Sequence, residues 1–105
     1  MTKMIFVNLP VSDLSRAKQF YEALGFTWNP DFSDETGACM VWSEAIYVMI
    51  LTRAKWQTFT KRPIPDMGSS EVSLALALDS RAEVDRIVDI GAAHGGTADI
   101  NPPED

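Results

Sequence analysis

Residues 4–25 and 71–91 carry the same pattern twice, and a repeat of that size restricts the possible folds more than any other feature of the chain. The first copy is Met4-Ile-Phe-Val-Asn-Leu-Pro-Val11, then Ser12-Asp13, then a helical stretch ending at Gly25. The second is Glu71-Val-Ser-Leu-Ala-Leu-Ala-Leu78, then Asp79-Ser80, then a helical stretch ending at Gly91. Each reads as a strand, an oxygen-bearing cap, an amphipathic helix and a glycine stop.

In the first strand Ile5, Val7 and Leu9 alternate with Met4, Phe6 and Asn8, which separates an aliphatic face from a mixed one. Pro10 suits a strand end, and Ser12 or Asp13 can accept from the free N–H groups of the next helix. Leu14, Ala17, Phe20, Tyr21 and Leu24 then recur at helical spacing before Gly25. In the second copy Leu74, Leu76 and Leu78 form one face, and Ser73, Ala75 and Ala77 the other. Ser80-x-x-Glu83 is a capping box ahead of Val84, Ile87 and Val88.

Between the copies, residues 26–28 predict a short strand and residues 29–37 a loop holding Asp31, Asp34 and Glu35. Two apolar runs, 39–43 and 46–51, predict a hairpin buried on much of both faces. Residues 53–60 predict a short helix around Trp56 and Phe59. Residues 61–70 hold two prolines, a glycine and two serines and predict a linker. The expected fold class is α+β in one domain: a first βαβββ module over residues 1–60, the linker, and the start of a second module over residues 71–105. That second module is expected to be incomplete and the chain a fragment, since its helix is followed only by His94-Gly95-Gly96 and a polar tail, residues 101–105.

A chain of 105 residues, 46% hydrophobic and 23% charged, is of ordinary size and composition for one globular domain. A net charge of -6 argues against nucleic acid or an anionic membrane as the main partner. The lone Cys39 leaves no internal disulfide, and no signal-peptide pattern or stretch of membrane-spanning length is present; the expectation is a cytoplasmic protein.

The segments FVNLPVSDLSRAKQFYEALGF, ACMVWSEAIYVMILT and EVSLALALDSRAEVDRIV resemble the vicinal oxygen chelate superfamily of glyoxalases, bleomycin-resistance proteins and extradiol dioxygenases. Its small bacterial members, described as lactoylglutathione lyase-like, are the most similar group. The resemblance implies paired βαβββ modules enclosing a site, often across a dimer. It also implies a divalent metal that chelates adjacent substrate oxygens, with ligands near the start of each module's first strand, in the strand over residues 46–51, and in a final strand. Carried onto this chain, the first two positions are Phe6 and Ser73, the third is Met49 or Ile50, and the fourth has no counterpart. Phenylalanine cannot bind a metal, and neither a neutral serine nor the third pair offers a hard anionic oxygen or an imidazole. No metal site is therefore expected, and a divalent metal enters only under the enzymatic alternative.

His94, the one histidine, follows a helix end, where it serves the terminal carbonyls more readily than a metal. Cys39 reads as a buried structural thiol and the acidic loop as solvated. What remains is a pocket: Phe6 and Asn8 from the first strand, Trp42, Tyr47 and Met49 from the hairpin, and Ser73 and Ala75 from the second copy. Apolar walls with sparse hydrogen-bonding groups suit a small apolar or aromatic ligand, and the alternative is that these residues fill a core or a dimer interface. The leading expectation is a metal-free binding protein acting as a homodimer with a small-molecule ligand. The alternatives are a metal-dependent lactoylglutathione lyase or extradiol dioxygenase, and a mainly structural or oligomeric role. A cluster of Arg53, Lys55, Lys61 and Arg62 is a second candidate, either holding an anion at the rim or lying in a solvated loop.

Overall fold

The first copy of the repeat opens a complete βαβββ module in the computed structural model, which describes residues 3–65 and 72–98. The chain runs through β1 (Ile5–Val11), α1 (Leu14–Leu24), β2 (Thr27–Asp34), β3 (Gly37–Val41), β4 (Ile46–Thr52), α2 (Arg53–Trp56) and α3 (Arg81–Ala93). The sheet order is β1-β4-β3-β2; β1 and β4 are parallel, and β3 runs antiparallel to both its neighbours. α1 carries the chain from one edge of the sheet to the other, and two tight connections then bring it back to β1.

The alternation in β1 sets which face is covered. Val7, Leu9 and Val11 pack with Leu14, Ala17, Tyr21 and Leu24 of α1 onto a core of Phe26, Ala38, Met40, Val48 and Ile50. Asp13 caps α1, accepting the Arg16 N–H at 3.0 Å, and Gly25 ends it in the left-handed region at φ 109°. The Phe26 N–H then reaches back to the Tyr21 carbonyl at 3.0 Å, closing the helix end.

Several expectations are corrected. Residues 29–37 are not a loop: β2 extends to Asp34, and only its register breaks, between Asn29 and Asp34. The Asp34 carboxylate builds the turn into β3 by accepting from the Thr36 N–H and hydroxyl and the Gly37 N–H. The Thr36 hydroxyl, with backbone N–H groups behind it, holds the Asp34 carboxyl below its usual range. The predicted helix over residues 53–60 shortens to the single turn of α2, followed by turns up to Phe59.

In the second copy, residues 72–78 form no strand, because no described strand lies beside them to complete a ladder. Nor does Gly91 stop its helix. α3 passes through Gly91 to Ala93, and the left-handed residue is Gly95 at φ 105°. The capping box is present: Ser80 accepts from the Glu83 N–H at 3.2 Å, and the Glu83 carboxylate accepts from the Asp79 N–H at 3.2 Å. α3 packs on α1. Residues 66–70 of the expected linker, Glu71 and the tail 101–105 lie outside the described residues.

Candidate functional site

The face of the sheet turned away from α1 is set by register. Phe6 pairs with Tyr47 and Asn8 with Met49, so these four side chains share that face. The Phe6 and Tyr47 rings stack with centroids 4.6 Å apart and planes at 9°. Tyr47 donates its hydroxyl to the Glu44 carbonyl at 2.8 Å, which fixes the ring from its far end. Phe6 remains 51% exposed, so the stack presents an aromatic surface rather than a filled core. Asn8, also exposed, adds an amide that can donate and accept.

The other expected pocket residues are elsewhere. Trp42 lies past the end of β3 and packs onto the helix-side core, its ring 4.9 Å from Phe26. Ser73 and Ala75 are exposed on a segment whose contacts are made on the other side: Leu76 joins the core under α1, and Val72 lines a groove beside β1. Cys39 is 1% exposed, and burial pushes its thiol up, away from the reactive thiolate. His94 sits at the end of α3 with Nδ1 2.8 Å from the Ile90 carbonyl.

A groove of about 880 Å³ runs along β1 between α1, α2 and the end of α3. Arg16, Arg53 and His94 line it together with apolar residues of β1 and α1 and with Trp56. The sequence singled out Arg53 but not this grouping, because its members come from three helices separated in the chain.

Residues 3–43, covering β1, α1, β2 and β3, match the family model described as bleomycin resistance protein-like N-terminal. Seven chains among solved structures match. One is a hypothetical protein, SA1046, from S. aureus, with 27% identity and a TM-score of 0.73 over 90% of this chain and 72% of that one. Another is a glyoxalase/bleomycin resistance protein/dioxygenase family enzyme from Burkholderia phytofirmans PsJN, with 16% identity and a TM-score of 0.64 over 90% of this chain and 74% of that one. Over residues 3–43 the chain is similar to that bleomycin resistance protein-like family, and the two solved structures share its fold. Its fold is glyoxalase-like, α+β, with a partial second module. Among curated proteins, none matches it.

The divalent metal implied by the vicinal oxygen chelate superfamily does not fit the residues present. Phe6 occupies the first ligand position with its ring against Tyr47, and Ser73 is exposed on a segment outside the sheet. At the third position Met49 offers a soft thioether, while Ile50 is fully buried on the opposite face. Among the described residues, no three His, Cys, Asp or Glu side chains converge.

Proposed function

We propose that this chain binds a small apolar or aromatic molecule on the sheet face opposite α1, without a metal, as a homodimer in the cytoplasm. The observation that carries this reading is the Phe6–Tyr47 stack, a half-exposed aromatic surface standing where the superfamily would place a metal ligand. Flat aromatic rings favour an offset-stacked or edge-on aromatic partner, and Asn8 supplies a polar anchor beside them. The bleomycin resistance protein-like match supports binding rather than turnover. A single buried cysteine is in keeping with a reducing compartment, and no described helix is long and apolar enough to cross a membrane.

Titration of the isotope-labelled chain with 1-naphthol tests the site. Amide shifts are expected at Phe6, Asn8, Tyr47 and Met49, and Phe6→Ala should weaken binding by up to roughly tenfold, the worth of one aromatic contact. Protein purified without chelator should carry metal well below stoichiometry. A stoichiometric metal lost on one substitution would overturn the reading in favour of a lyase or dioxygenase.

A further inference from the structure

The groove beside β1 excludes Phe6 and Tyr47, shares only Asn8 with the aromatic surface, and has a different chemistry. Its floor is apolar, with Val7 from β1, Phe20 from α1 and Trp56 from α2. Its lining brings two cations to a chain whose net charge is -6, Arg16 from the first turn of α1 and Arg53 opening α2, with Asn8, Ser12 and His94, which closes α3, as further polar groups. Neither arginine is in an ion pair among the described residues, where the one such pair is Lys18–Glu22 at 3.0 Å. Asp13 is the one carboxylate in the lining, and it already accepts from the Arg16 backbone N–H.

The histidine is poised as well. The Ile90 carbonyl, 2.8 Å from His94 Nδ1, can only accept, so Nδ1 carries the proton and Nε2 is an acceptor that meets the ligand only through a hydroxyl or acid hydrogen. Gly95 has no side chain in the way: a Cβ there would stand 3.5 Å from the Arg16 guanidinium, so the turn after α3 lies directly against that cation. The two guanidinium forks that line the groove are a donor set suited to a planar or tetrahedral oxyanion, since guanidinium binds carboxylate and phosphate through paired N–H groups. The groove's volume falls in the range of small-molecule sites, roughly 300–1,000 Å³.

We infer that this groove is a second binding site, for an amphipathic oxyanion. Arg16 and Arg53, with His94 in the same lining, hold a carboxylate or phosphate head, and Val7, Phe20 and Trp56 take its apolar body. The site goes beyond the aromatic surface proposed above and does not depend on it.

The full chain, isotope-labelled, is titrated with octanoate, octyl phosphate and octanol. Both anions are expected to shift amides over residues 11–17 and 94–96, and the tighter of the two identifies the head group. Octanol, with the same chain and no charge, should bind roughly tenfold more weakly or worse. Arg16→Met and Arg53→Met, both at exposed positions, should each erode the preference for the anions, while Lys61→Met, outside the groove, should leave it intact. Trp56→Ala should weaken octanoate without restoring octanol. Equal binding of octanol, a preference that survives both arginine substitutions, or shifts centred on Phe6 and Tyr47 would each overturn the proposal. None of these outcomes counts against the aromatic surface, and the last would support it as a site.

Discussion

Ser33 stands in for a missing piece of the sheet. β2 leaves the ladder between Asn29 and Asp34, so Cys39 in β3 loses a backbone partner there. The Ser33 hydroxyl donates to the Asn29 carbonyl at 2.6 Å and accepts from the Cys39 N–H and the Trp28 indole N–H, each at 3.0 Å. Cys39 is 1% exposed, so its N–H has no route to water once the hydroxyl is gone. Ser33→Ala should therefore cost about 1–3 kcal/mol, the penalty for a buried donor left unsatisfied, read as a lower urea midpoint with an unchanged slope. A loss within a few tenths of a kcal/mol would show that the bulge relaxes instead. None of this was legible in residues 29–37, whose run of Asn, Pro, Asp, Ser and Gly has the composition of a loop. Asp34 and Thr36 do make a turn, as such residues suggest. Ser33, however, works through Cys39, six residues on, and no local pattern announces that partner.

At the scale of elements, the repeat was readable in its starts and misleading in one of its stops. Asp13 and Ser80 cap their helices as the sequence pattern predicts. Gly91 looks like the counterpart of Gly25, one residue short of equal spacing from the caps, yet α3 is longer than α1, 13 residues against 11, and ends at a later glycine. The helix ends are nonetheless built alike: Phe26 N–H reaches the Tyr21 carbonyl across Gly25, and Gly96 N–H reaches the Gly91 carbonyl at 2.8 Å across Gly95. Gly91 has a packing role, buried against Phe20 and Leu24 of α1. A Cβ there would meet Leu24 and Phe20 at 3.5 and 3.6 Å, ordinary contact distances. Gly91→Ala should thus stabilise by about 0.5–1 kcal/mol, by removing backbone freedom from the unfolded chain. Gly96→Ala should do the reverse, since its Cβ would stand 2.9 Å from the Gly91 carbonyl oxygen, a backbone atom that cannot yield cheaply. Opposite changes in melting temperature would bear this out; a loss for Gly91→Ala would mean that α1 and α3 pack more tightly than these distances allow. The strand expected in the second copy failed for a different reason. Alternation marks a segment fit for a sheet, but a strand exists only with a neighbour, which alternation cannot supply.

For the whole molecule, the same non-local requirement divides the candidate site. Phe6 with Asn8, and Tyr47 with Met49, were legible as one-faced pairs within their own strands, and the parallel register then joined them. Trp42, Ser73 and Ala75 depended on where β3 ends and where the second copy lies, which no single strand encodes. The register also leaves an edge. Ile5 turns its N–H inward to the Ala45 carbonyl at 2.8 Å, so the alternate residues Phe6, Asn8 and Pro10 turn their backbone groups outward. Pro10 has no N–H to offer, but Phe6 and Asn8 present ladder positions that no described strand fills. Around them Met4, Ile5, Phe6 and Ile46 are between 41% and 55% exposed, an apolar patch where β1 and β4 begin. An open edge flanked by apolar side chains invites a second strand, and the proposed homodimer would supply one. Sedimentation velocity at tens of micromolar should then show a dimer. Ile5→Lys, which sets a charge beside the edge without touching the Phe6–Tyr47 stack, should shift the population toward monomer. A single monomeric species for the unaltered chain, or a dimer indifferent to Ile5→Lys, would remove this edge from any role in assembly.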